Sequence, residues 1–337
     1  MKRIAPTVLS VLALTLPLAG AVLPPQASAA RSDHEVTGWI LPSAANRLVR
    51  QNAHGLTTLA VVGVGLRPDG ASTAPVTSDM LRLARAGRRN GLRTELLVSN
   101  YSNRLGAFDP RALHRLLDRP RHIRRVAARL AVAVRQGPWD GVNVDLERVR
   151  ASDGPGLVRF VAALQRAMPP HRTVSIDVSA STSIRAYREH GYRLSGLARH
   201  ADVVDLMAYD YSGPTWSDPG PIGPLPWQRA AVRALLRKVP AEKVQLGVAG
   251  YGYTWPETGT GRSLSPRAAR RLVREDGAEA EFRRKVGEWA ATLSNGTELR
   301  WSDGRSYRLR VQLAHRFGLR GTAVWRLGSA DPLPRLR

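Results

Sequence analysis

The chain contains no cysteine. Disulfides, thiolate nucleophiles and thiolate metal sites are therefore excluded, and stability must come from a full-sized packed core. Acidic residues are scarce beside basic ones: 27 Asp and Glu face 51 Lys and Arg, a net charge of +24. Aromatic residues make up only 6%, and no basic run is interleaved with them, so a nucleic-acid partner is not expected. The histidines show no metal-ligand spacing, and no metal or organic cofactor is expected. After the first thirty residues no apolar run approaches the ~20 residues of a membrane span. Internal repeats and long low-complexity linkers are missing too.

What is present begins with a leader. Lys2 and Arg3 precede an apolar stretch at 8–22, interrupted by Pro17, and Ala27-Ser28-Ala29 follows. A basic, then apolar, then small-residue order reads as a secretory signal. A membrane anchor is the competing reading, but the apolar run is too short for one. We expect residues 1–29 to be removed and 30–337 to be exported as one domain, monomeric and free of the membrane. The basic residues are nearly all Arg and are spread along the chain, as at 119–125 and 267–271. Solvated helix faces explain most such charge. Attraction to an anionic polymer such as a cell wall is the functional alternative.

With 43% hydrophobic residues, the 337-residue chain can build either two domains or one large α/β barrel. Eight apolar, largely β-branched runs occur at 36–41, 58–64, 94–99, 141–146, 173–178, 203–207, 244–249 and 321–325. Near-continuous apolar runs suit parallel strands buried on both faces. Helical patterns separate them: 79–90 ending at Gly91, 109–136 with Pro120 restarting the helix, 153–168, 184–200, 226–238 and 306–317. Eight strand–helix units predict a TIM (β/α)8 barrel over a doubly wound sheet. About seventy residues separate the last two strands, and Asn295-Gly296 there reads as a hairpin turn. A small α+β insertion is expected at 256–302.

One stretch carries chemistry: Trp139-Asp-Gly-Val-Asn-Val-Asp-Leu-Glu147. On a strand, Asn143, Asp145 and Glu147 point one way and Val142, Val144 and Leu146 the other. Asp140 is out of phase with the polar set and is read as structural. Two acids on one face make a poor core and a good site, because neighbouring like charges push one carboxyl's pKa up. A solvated strand edge or a metal site would use the same pair, so spacing alone does not decide.

The full octad Asp-Gly-Val-Asn-Val-Asp-Leu-Glu is more specific. It resembles the signature of family 18 glycoside hydrolases, the chitinase-like enzymes. The usual pattern has Asp at the place of Asn143, and Asn there resembles the spore-cortex and peptidoglycan-lytic glucosaminidase branch. Further on, Met207-Ala-Tyr-Asp-Tyr211 is similar to the family's M-x-Y-D motif. Gly247-Val-Ala-Gly-Tyr-Gly-Tyr-Thr-Trp255 is similar to its glycine- and aromatic-rich segment, and Ala323-Val-Trp-Arg-Leu-Gly328 to its terminal tryptophan. The early segments, Gly38-Trp39 and Ser99-Asn100, match only loosely.

The resemblance implies roles. Residues i and i+2 on one strand face lie about 7 Å apart and on one side of a bound sugar. That disfavours a carboxylate nucleophile, and the family is an exception in which the substrate's 2-acetamido group attacks instead. Glu147 would then be the acid and base, Asp145 the partner of the acetamido N–H, and Tyr209 the donor to its carbonyl. Asn143 would orient Asp145. Asn143, Asp210, Tyr211 and Trp325 would contact substrate, and Tyr251 and Trp255 would offer flat faces to sugar rings. The expected partner is an N-acetylglucosamine polysaccharide, chitin or peptidoglycan. Two alternatives stay open: a lectin-like barrel that binds without cleaving, and a wall scaffold acting through charge alone.

Overall fold

The computed structural model describes residues 34–335, so the expected leader lies outside the described residues. The strands are β1 (Glu35–Ile40), β2 (Thr58–Gly65), β3 (Arg93–Ser99), β4 (Tyr101–Ser102), β5 (Ala107–Phe108), β6 (Gly141–Asp145), β7 (Thr173–Ser179), β8 (Val203–Met207), β9 (Val244–Ala249), β10 (Gly252–Trp255), β11 (Ser263–Leu264), β12 (Ala280–Arg283), β13 (Glu288–Thr292), β14 (Glu298–Trp301) and β15 (Gly321–Trp325). The helices are α1 (Asn46–Asn52), α2 (Ser78–Arg89), α3 (Pro110–Asp118), α4 (Pro120–Gln136), α5 (Gly154–Ala167), α6 (Ile184–Glu189), α7 (Leu194–His200), α8 (Leu225–Leu236), α9 (Pro266–Asp276) and α10 (Gly304–Arg316).

Eight strands close a parallel barrel in the order β1-β15-β9-β8-β7-β6-β3-β2. This is the TIM barrel that the alternation of strand and helix patterns predicts. Local chemistry marks where the helices start. Thr77, Asp109, Ser265 and Asp303 accept backbone N–H groups at the N-termini of α2, α3, α9 and α10. Pro110 and Pro120 open α3 and α4, where a missing N–H costs nothing. The pattern at 184–200 is two short helices instead of one, broken where Gly191 takes φ 78° and its N–H returns to Arg188.

The strands' two faces differ in kind. Outward residues such as Leu96, Val142, Val144, Ile176, Leu206 and Val324 join the helices' apolar stripes in one continuous core. Ile123, Val126, Leu130 and Val134 of α4 supply one such stripe at helical spacing. Inward residues are mixed. Trp39, Ala60, Leu97 and Ala323 form a small apolar cluster, while Glu95, Asn143, Ser175, Asp177, Asp205 and Gln245 are buried polar groups inside the barrel.

Between β9 and β15 a five-stranded sheet, β11-β10-β14-β13-β12, carries α9 on its side. Its first strand begins at Gly252, four residues before the expected Pro256, because 252–255 pairs antiparallel with 298–301. Asn295-Gly296 makes the turn between β13 and β14, with Gly296 at φ 77°. The insertion is fastened to the barrel by a buried ion pair. Glu288 accepts the backbone N–H groups of Ile222 and Gly223, both at 2.8 Å, and faces the Arg310 guanidinium at 3.1 Å.

Candidate active site

The polar face of β6 rises through the barrel and ends at its C-terminal mouth. Asn143 is deepest and 1% exposed. None of its hydrogen bonds goes to Asp145, the acid it was expected to orient; they run to three other residues. Its Oδ1 accepts the Trp39 indole N–H at 3.0 Å, and its Nδ2 donates to Ser175 Oγ at 2.9 Å and to Asp177 Oδ1 at 2.8 Å. A primary amide can serve donors and acceptors at once, which a carboxylate cannot. Asn143 is thus a cross-barrel strut between β1, β6 and β7.

Asp145 lies above it, paired in register with Ser99 of β3. The Asp145 Oδ1 is buried and has no hydrogen-bond partner among the described residues. Burial pushes its carboxyl up to about 6, against the pull of the Ser99 hydroxyl. Glu147 stands two residues on, at the mouth. Its carboxyl is pushed up to about 8 by burial first, then by the negative charges of Asp145 and Asp210. One site therefore holds a carboxyl biased towards its acid form beside one that ionises earlier.

Tyr209 follows β8, and burial raises its phenol well above the usual range, with Asp177, Asp210, Glu147 and Asp145 adding to the shift. Room for its ring comes from Gly247. A Cβ there would meet the Leu206 carbonyl at 2.4 Å and Tyr209 Cε1 at 3.0 Å. This glycine of β9 thus serves neighbouring protein. Trp325, the last residue of β15, is half-buried and packs its ring against Trp39 at 5.8 Å between centroids.

Three expected sugar contacts have other tasks. Tyr251 is 5% exposed and donates its hydroxyl to Asp210 Oδ1, and Tyr253 donates to the same oxygen at 2.8 Å. Trp255 is 8% exposed, and its indole N–H donates to the carbonyls of Gly213 at 3.2 Å and Ser217 at 3.1 Å. Both rings are buried and pack against Tyr253, so the flat faces expected for sugar are covered. Asp210, at φ 57°, is held by these tyrosines at the start of the loop 211–221. Tyr211, in contrast, is 52% exposed.

Several site features escaped the sequence reading. Asp177, Asp205 and Glu95 sit below Asp145, and burial raises all three carboxyls. Their signal was available: Ser175 and Asp177, like Asn143 and Asp145, alternate with apolar residues on a strand. Trp216, at 54% exposure, stands beside the mouth on the loop that Trp255 braces. Asn100 is buried directly against Glu147. Asp140 is structural, as strand parity implied: it accepts the Thr94 N–H at 3.0 Å and binds Arg172 at 2.6 Å.

Comparison with known proteins decides the family. The model of glycosyl hydrolases family 18 matches residues 90–330. The chain belongs to this family. It is a glycosyl hydrolase with a family 18 barrel. A Bacillus subtilis relative, the uncharacterized glycosylase YvbX, is 22% identical over 253 residues, 72% of this chain and 73% of that protein. Among solved structures, the Bacillus cereus spore cortex-lytic enzyme SleL superposes with a TM-score of 0.81 at 19% identity, over 90% of this chain and 73% of that one. A chitinase from Chromobacterium violaceum gives 0.78 at 24% identity, over 88% and 95%. The fold is thus shared by proteins named for cortex lysis and for chitin.

Proposed function

We propose that this family 18 member is an exported, monomeric enzyme that cleaves β-1,4 bonds next to N-acetylglucosamine, with retention and by substrate assistance. Glu147 protonates the leaving glycosidic oxygen and later takes a proton from the incoming water. Asp145 accepts the acetamido N–H and stabilises the positive charge of the oxazolinium-like intermediate. The Tyr209 hydroxyl donates to the acetamido carbonyl as that oxygen attacks the anomeric carbon. Tyr211 and Trp325 contact sugar rings.

The single observation that carries this reading is the pairing of an orphan acceptor with a raised acid. Asp145 Oδ1 is buried and unpartnered beside Glu147, whose carboxyl is held up near 8. Buried acceptors normally have donors. A substrate N–H at this place would supply the missing one, while Glu147 keeps its proton at neutral pH for the leaving group. The surplus of arginine favours an anionic glycan, so peptidoglycan is the preferred substrate over chitin.

The test is hydrolysis of purified peptidoglycan and of chito-oligosaccharides by residues 30–337, beside Glu147→Gln. Release of reducing ends that depends on Glu147 is expected, with peptidoglycan cleaved faster. Tight binding without cleavage, equal in both proteins, would make the chain a lectin-like barrel instead.

A further inference from the structure

Glu147 lies two residues beyond Asp145, the last residue of β6, and Arg148 after it turns to φ 59°. The ladder that pairs Asp145 with Ser99 has therefore ended where Glu147 still needs orienting. The Glu147 carboxyl has no donor among the described side chains, so its direction depends on its backbone.

A buried amide holds that backbone. Asn100 is the first residue after β3 and is 0% exposed. Its Oδ1 accepts the Glu147 N–H at 2.9 Å, and its Nδ2 donates to the Glu147 carbonyl at 3.0 Å. The same Nδ2 reaches the Asp109 carbonyl at 3.2 Å, and the Asp109 N–H returns to the Asn100 carbonyl at 2.8 Å. Asp109 in turn caps α3 through Arg111 and Ala112. The β4–β5 hairpin closes on this knot. The chain around Glu147 is thereby tied to the end of one strand, to a hairpin base and to a helix cap.

We propose that Asn100 is a positioning residue for Glu147: its side-chain amide pairs with the Glu147 peptide as a strand would, and so fixes where the carboxyl points. The inference rests on Glu147 being the acid and base. A primary amide suits this task because it offers a donor and an acceptor side by side, as a peptide does. Shortening it to alanine leaves one N–H and two carbonyls without partners and lets the acid drift. A displacement near 1 Å at a reacting group costs about 100-fold in rate.

The test compares wild type, Asn100→Ala, Glu147→Gln and the double variant on a soluble N-acetylglucosamine oligosaccharide. For Asn100→Ala, kcat should fall about 10- to 100-fold with KM within about twofold. In the Glu147→Gln background, Asn100→Ala should leave the residual rate unchanged, because a residue that acts through Glu147 has nothing left to position. An additive loss in the double variant would assign Asn100 a general structural role and overturn the inference. Should Asn100→Ala lack a cooperative melt, the near-isosteric Asn100→Asp replaces it. That variant keeps the acceptor but sets a carboxylate oxygen against two carbonyls, and the same fall in kcat is expected. Wild-type kcat in either folded variant, beside a dead Glu147→Gln, overturns the positioning role alone. Full turnover by Glu147→Gln overturns the underlying assignment of the acid instead.

Discussion

Two buried glutamates set the terms of this molecule. Glu288 joins the insertion to the barrel, and Glu147 stands at the barrel mouth. Burial pushes both carboxyls up, but their surroundings answer differently. Arg310 and two backbone N–H groups pull Glu288 back towards its charged form. Glu147 gains no donor, and Asp145 and Asp210 push it further the same way. A carboxylate surrounded by donors holds structure together. One left without them, beside like charges, keeps its proton to higher pH.

The sharpest way to break the comparison is to remove each acid's charge. Glu147→Gln should lower kcat about 100- to 10,000-fold on either glycan, read by release of reducing ends. The same variant should melt higher than wild type at pH 8. The Glu147 pKa is raised on folding from 4.5 to about 8, so the folded state binds more protons than the unfolded across that window and loses stability as pH rises through it. Removing the group removes that loss. A lower melting temperature for Glu147→Gln at pH 8 would place Glu147 with Glu288 as a structural residue.

At the other site the signs reverse. Arg310→Met leaves Glu288 buried without its cation and should cost about 3–5 kcal/mol in denaturant unfolding. Replacing both, as Arg310→Met with Glu288→Leu, should recover a large part of that loss, since well-packed apolar residues often substitute for a buried pair. Equal destabilisation by the single and double variants would show that the backbone groups the pair serves, the N–H groups of Ile222 and Gly223 and the carbonyls that Arg310 holds, matter more than the ion pair itself.

Two finer predictions sharpen the mouth. The pH profile of kcat/KM should be a bell with limbs near 6 and 8, belonging to Asp145 and Glu147 as an interacting pair. Activity falls below the lower limb as Asp145 takes a proton, and above the upper limb as Glu147 loses one. Asp145→Asn should move the upper limb to lower pH, because the charge that helped raise Glu147 is gone. An unmoved limb would leave burial and Asp210 as the causes. The smallest effect is expected from Trp216→Ala: a rise in KM of about 3- to 10-fold on long glycans, with kcat on short substrates and thermal stability unchanged. Trp216 is exposed on the loop braced by Trp255 and meets Tyr253 edge-on at 5.7 Å between centroids, which leaves more than half of its surface open to a sugar.

The eight strands were legible because each is a local apolar run, and strand–helix alternation is itself a one-dimensional pattern. The polar face of Asn143, Asp145 and Glu147 followed from period-two alternation, which needs no knowledge of neighbours. Asp177 and Asp205 lay within the same signal, yet the alternation in 173–178 and 203–207 passed as ordinary buried strand. The resemblance added roles for Tyr209 and Trp325, but for Tyr251 and Trp255 it suggested faces that the fold covers.

The sequence by itself determined which residues share a strand face and therefore which acids stand together at one strand end. Only the tertiary structure decided what surrounds each of them. Asn143 meets Asp177 across two strands, Asn100 meets Glu147 from another strand's end, and Arg310 meets Glu288 between the insertion and the barrel. Alternation along a strand is fixed by backbone geometry and is written in neighbouring positions. A hydrogen bond between residues dozens of positions apart depends on how the barrel closes, and closure is a property of the whole chain.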